Sequence, residues 1–219
     1  MAALPAIIDY DSLVLNVSDY IARNDLEDYY PTFIQLTENR LNSALKVPGM
    51  ETEATLTLGV DGTVATPATY VEWIMVNWKA APAGRVQRLR YVEANSPEFT
   101  HRFRPNGAPM YYTVAGGKIR TAPGRAGTID AVFYQRVPSL TPTAQTNWLI
   151  QKAPQLYLYG VIAEAYSFQK DEARAGEWLK NADDRLKLFI EESSGVKVGR
   201  RAERAAEVEA ELIASKGLN

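Results

Sequence analysis

The spacing of apolar residues changes twice along this chain of 219 residues, and a uniform single-layer fold is excluded by that alone. Up to about residue 50 they recur every three or four positions. From 51 to 140 they alternate, and from 141 onward the helical spacing returns. Helices bury a stripe with a period of about 3.6, and strands bury every second residue. Leu13, Val17 and Ile21 form one stripe. Phe33, Ile34, Thr37, Leu41 and Leu45 form a second, which the reading starts near Tyr30 because Pro31 suits a first helical turn. Pro48-Gly49 stops it.

In the middle zone "ETEATLTL" and "GTIDAVFYQ" alternate, while "YVEWIMVNW" is apolar on both parities and "GRVQRLRYVE" reads as one further strand. Asp61-Gly62 and Gly116-Gly117 are turn pairs, and two glycines together can take the positive φ angles of a type I′ hairpin. In the last zone Pro142 and Pro154 suit the first turns of two helices. A third helix is predicted over "EARAGEWLKNADDRLKLFIEESS", with Ala175, Trp178, Leu179, Leu186 and Phe189 inward and Gly195 as its C-terminal cap. The expected fold is α+β: a helical bundle formed by N- and C-terminal helices, carrying an inserted antiparallel β sandwich or barrel module. The expected boundaries are 1–50 for the N-terminal helices, 51–140 for the β module, 141–195 for the C-terminal helices and 196–219 for a C-terminal arm. That arm has a thin apolar stripe (Ala205, Val208, Leu212) and would be marginal as an isolated helix.

A net charge of −2 gives no global attraction to nucleic acid or to an anionic membrane. The balance is uneven, however, because the first fifty residues are acidic and the middle zone is basic. There, Arg85, Arg88, Arg90, Arg102, Arg104, Lys118, Arg120 and Arg125 are interleaved with aromatic residues, a mixture that single-strand-binding sheets use. The simpler account is the ordinary polar face of an antiparallel sheet. Nucleic-acid binding by this region therefore stands as the alternative function.

Chemistry finds little purchase. Without cysteine there is no thiol nucleophile, thiolate metal site or disulfide. His101 is the only histidine and is followed by Arg102 and Arg104, whose charges disfavour its protonation, with no nucleophile motif beside it. "AGGKIRT" lacks the spacing of a phosphate loop and reads better as a hairpin. No enzyme activity, metal or cofactor is expected. The N-terminus is a poor signal peptide, broken by Pro5, Asp9 and Asp11, and no apolar run reaches the ~18 residues of a membrane span. Synthesis in the cytoplasm and no membrane partner are expected.

Two blocks resemble a known family. "YPTFIQLTENRLNSALKVPGMETEATLTL" and "TNWLIQKAPQLYLYGVIAEAYSFQKDEARAGEW" are similar to the paired hallmarks of bacteriophage head-to-tail adaptor (connector) proteins. The resemblance spans about residues 10–190. It implies a non-enzymatic virion protein at the head–tail interface, assembled as a ring, usually of twelve copies, beneath the portal. Such a ring extends the channel for double-stranded DNA and offers a platform to tail or nozzle proteins.

The helix within "PQLYLYGVIAEAYSFQKD" is apolar on nearly every side, so a neighbouring subunit is expected to cover part of it. Leu156, Leu158, Tyr159, Gly160, Ile162, Tyr166 and Phe168 are the candidate subunit interface. Gly160 would admit a neighbouring backbone, and buried tyrosines can keep their hydroxyls bonded at an interface. Arg200, Arg201, Arg204, Val208 and Leu212 are candidate portal contacts on the arm. Arg85, Arg88, Arg102 and Arg104 are candidates for the DNA channel or a partner.

Overall fold

The computed structural model describes residues 5–23, 25–80, 84–100 and 107–216, the side chains of Thr100 and of residues beyond Gly195 excepted. The chain divides into two compact units, one of Met1–Gly49 with Val137–Asn219 and the other of Met50–Arg136. The architecture is α+β, with six α-helices and two four-stranded sheets among the described residues.

In the helical unit, α1 (Tyr10–Ile21) opens on a reciprocal cap. The Ser12 amide donates to Asp9 Oδ1 at 2.8 Å and the Asp9 amide donates to Ser12 Oγ at 3.0 Å, so two otherwise unpaired donors are satisfied. α2 (Tyr30–Ala44) holds Pro31 in its first turn. The stripes of both helices are buried as expected. A single turn, α3 (Pro97–Thr100), belongs to the other unit, and the chain returns in α4 (Trp148–Lys152), α5 (Pro154–Phe168) and α6 (Glu172–Lys216). Pro142 does not open a helix. α4 starts at Trp148 because Asn147 Oδ1 accepts from the Leu149 and Ile150 amides at 3.0 and 2.9 Å, a cap that proline cannot supply.

Gly195 does not close the third helix either, because α6 continues through it to Lys216. The sequence beyond is rich in Ala, Glu, Lys and Arg and free of proline, so helix propensity outweighs the penalty of roughly 1 kcal/mol each for Gly195 and Gly199. The inner face of α6 is carried by Ala182, Leu186 and Phe189, with Ala175 and Trp178 half-buried in line. Leu179, at the edge of that face, is exposed.

In the β unit the first sheet runs β1 (Glu51–Leu58), β8 (Gly127–Gln135), β3 (Tyr70–Lys79), β4 (Val86–Arg88), all antiparallel neighbours. The second runs β2 (Thr63–Ala65), β7 (Lys118–Ala122), β6 (Tyr111–Ala115), β5 (Arg90–Tyr91). No barrel closes. One core joins the sheets: Trp73, Val76, Trp78, Ile129 and Phe133 from the first, with Tyr112 and Ile119 from the second. Three details depart from the sequence reading. Asp61-Gly62 does make a turn, with Gly62 at φ 72°, but the strands it joins pass into different sheets. "GRVQRLRYVE" is split: Leu89 is buried where the chain crosses from β4 to β5, and β5 then pairs with β6 in parallel. β3 is apolar on both parities because its register shifts between Trp73 and Met75, and this bulge lets Trp73 and Val76 both face inward. Gly116 and Gly117, at φ 59° and 68°, form the expected hairpin between β6 and β7.

Candidate interaction surfaces

The helix expected to present a bare wall is enclosed by its own chain. α5 packs against α1, α2, α4 and α6. Leu156 and Ile162 are 1% and 0% exposed, and Leu158, Gly160 and Tyr166 are buried as well. These five positions are buried within the chain itself. Gly160 accommodates the α2 side chain of Thr37. A Cβ there would overlap the Thr37 methyl and sit 3.1 Å from its hydroxyl. The tyrosine that most needs a partner finds one inside: the Tyr157 hydroxyl accepts from Asn147 Nδ2 at 2.7 Å and donates to Glu38 Oε1 at 3.3 Å.

Glu38 also accepts from the Leu140 amide at 2.7 Å, and Asn42 Oδ1, one turn on, accepts from the Val137 amide at 2.8 Å. The two α2 side chains thus pin the segment returning from β8. Burial raises the Glu38 pKa above the ordinary carboxylate range, opposed by hydrogen bonds from Leu140, Ser139 and Tyr157. Burial first and the Glu38 charge second push Tyr157 far up as well. This is a structural clamp that the sequence reading missed. The i, i+4 pair Glu38/Asn42 in "TENRLNSAL" resembles any exposed helix face, and only the fold shows what it holds.

Two aromatic clusters stay partly open. Tyr29, 44% exposed, lies 4.7 Å from Phe168, 50% exposed, with Phe33 at 5.6 Å from the Phe168 ring. Trp178 meets Tyr20 at 5.8 Å and Tyr159 at 5.6 Å between ring centroids. Of the seven positions first considered, Phe168 and Tyr159 alone keep surface. Tyr20, Tyr29 and Trp178 join them from other helices, which no spacing rule within α5 can reveal.

In the β unit Arg85 and Arg88 are exposed and line a groove of about 560 Å³ with Trp78, Val86 and Arg125. The Arg125 guanidinium lies 6.0 Å from the centre of the Trp78 ring. Arg102, Arg104 and His101 lie outside the described residues. Arg200, Arg201, Arg204, Val208 and Leu212 fall on the last turns of α6, where only the helical backbone is described. Among the described residues no three His, Asp or Glu side chains converge on a metal position, and no helix is long and apolar enough to cross a membrane.

The family model described as the SU10 adaptor protein matches residues 8–206, through both units. The chain belongs to the SU10 adaptor protein family. No curated protein matches it. The SU10 adaptors are a phage head-to-tail adaptor family, so the chain is a bacteriophage structural protein of the virion, in a family associated with portal and tail proteins.

Proposed function

We propose that the protein assembles as a closed ring, most simply of twelve copies, which joins the portal to tail or nozzle proteins, extends the DNA channel and catalyses no reaction. The family match through both units carries this reading. The partly exposed Tyr29–Phe168 and Tyr20–Trp178–Tyr159 clusters add to it, since rings half in solvent gain when a partner covers them. Arg200, Arg201, Arg204, Val208 and Leu212, at the end of α6, are proposed to reach the portal. The test is the mass of the purified chain, alone and with portal, together with an electron-microscopy class average along the ring axis. A chain that enters neither a ring nor a portal complex at physiological salt refutes the reading.

The second reading, a nucleic-acid-binding module, draws on the three arginines around the Trp78 groove. Binding to single- or double-stranded DNA that survives moderate salt favours it. Weak binding erased by salt fits a channel lining.

A further inference from the structure

The two edges of the first sheet carry charges of opposite sign. The registers of β1 with β8 and of β8 with β3 place Glu53 in line with Val132 and Met75, and Thr55 in line with Asp130 and Asn77. Asn77 in turn opposes Arg88 on β4. Glu51, Glu53 and Asp130 therefore lie toward the β1 side, where a depression of about 370 Å³ is lined by Glu53, Thr55, Met75 and Asp130. Arg85, Arg88 and Arg125 gather at the β4 side around the second groove.

Both ends are open edges. β1 and β4 terminate the sheet, and among the described residues no strand pairs with the outer edge of either. An open edge of eight residues invites pairing with another chain, and proteins usually blunt such edges with charge. Here the signs are opposite, so the β1 edge of one copy attracts the β4 edge of another while like edges repel. Strand direction agrees. β1, β8, β3 and β4 alternate, so β4 of one copy beside β1 of the next continues the antiparallel order. Two different complementary patches make a heterologous, head-to-tail contact, which closes into a ring where the rotation between copies closes and otherwise runs on as a filament.

We propose that copies of this chain associate head to tail through opposite edges of the first sheet. The Arg85–Arg88–Arg125 groove of one copy receives the Glu51–Glu53 edge of the next. This rests on the ring reading above.

The test compares R85E/R88E, E51K/E53K and their equimolar mixture with the wild type, by sedimentation and by light scattering. All four substitutions are at solvent-exposed positions, and far-UV melting checks that each variant folds. Each variant alone is expected to self-associate about 100-fold more weakly, as like charges then face each other. The mixture regains assembly, because its alternating contacts are again opposite in sign. Assembly of the wild type that neither variant alters, or a mixture that restores nothing, overturns the inference and leaves the ring reading standing. A wild type that stays monomeric even with portal overturns both. An R85E/R88E variant that assembles normally but loses duplex DNA binding assigns the groove to nucleic acid, and overturns the inference.

Discussion

In the helical unit α5 is closed off by α1, α2, α4 and α6, and its tyrosine hydroxyl and the neighbouring carboxylate are bonded within the chain. In the β unit the first sheet leaves one polar face in solvent and two edges that no strand pairs with among the described residues. The apolar content of a helix says how much must be buried, but not by whom. α5 looked like an interface because it is apolar all round, yet a bundle of five helices has walls enough for it. The charges of the β unit cost little to leave in water and acquire direction only from strand order. Substitutions in α5 are thus expected to cost stability, and those at the sheet edges to cost association.

The strongest challenge to this contrast is Ile162→Ala. Ile162 is 0% exposed, and deleting such a side chain costs about 2–5 kcal/mol through lost burial and the cavity left behind. Urea unfolding followed by far-UV ellipticity, which the helices dominate, reads the loss. A cost below ~0.5 kcal/mol, usual at exposed sites, would mean that α5 is not enclosed in solution. Gly160→Ala comes next. The new methyl meets Thr37, itself 2% exposed and confined, and overpacking of this kind costs about 1–3 kcal/mol. An exposed helical glycine would gain stability from the same change. Thr37→Ser combined with Gly160→Ala recovers part of the loss if the methyl contact is the cause. Phe168→Ala is smaller, about 0.5–1.5 kcal/mol from lost ring contacts with Tyr29 and Phe33. Its effect on ring or portal association should exceed that on the monomer. The reverse result would remove the Tyr29–Phe168 cluster from the list of assembly surfaces.

What the sequence made legible was whatever depends on local spacing. The α1 and α2 stripes, the start of α2 at Tyr30 and the Gly116-Gly117 hairpin all follow from near-neighbour sterics and periodicity. It failed where distant residues decide. Trp73 and Val76 both face inward only because β3 bulges against β8, and no local pattern announces a bulge. Leu89 is buried because the chain changes sheets there. Gly195 carries the signature of a cap, but the helix-forming residues beyond it prevail. Of the surfaces, Arg85, Arg88 and Arg125 were all visible in the basic middle zone, but that these three line one groove comes through folding alone. Glu38 was invisible as a clamp, since its partners Leu140 and Tyr157 lie more than a hundred residues away.

Glu38 supplies the smallest expected effect, a change of slope with pH. Its carboxyl is buried, which raises its pKa above the ordinary value of a carboxylate, and the hydrogen bonds it accepts only partly oppose this. An acid whose pKa is higher folded than unfolded binds its proton more readily in the native state. The stability it contributes is present in full below the unfolded pKa and is lost as pH rises through the folded one. Between the ordinary carboxylate range and neutrality, the wild type should therefore lose stability through this group. Glu38→Gln cannot ionise, and its amide oxygen can still accept from the Leu140 amide and the Tyr157 hydroxyl. Urea midpoints at about pH 4.5 and pH 7 should fall less for the variant than for the wild type, whatever their absolute values. Equal slopes would mean that the carboxylate is charged at little cost in the folded protein. In that case water or a cation reaches Glu38, and the helical unit is more open at this point than the enclosure of α5 indicates.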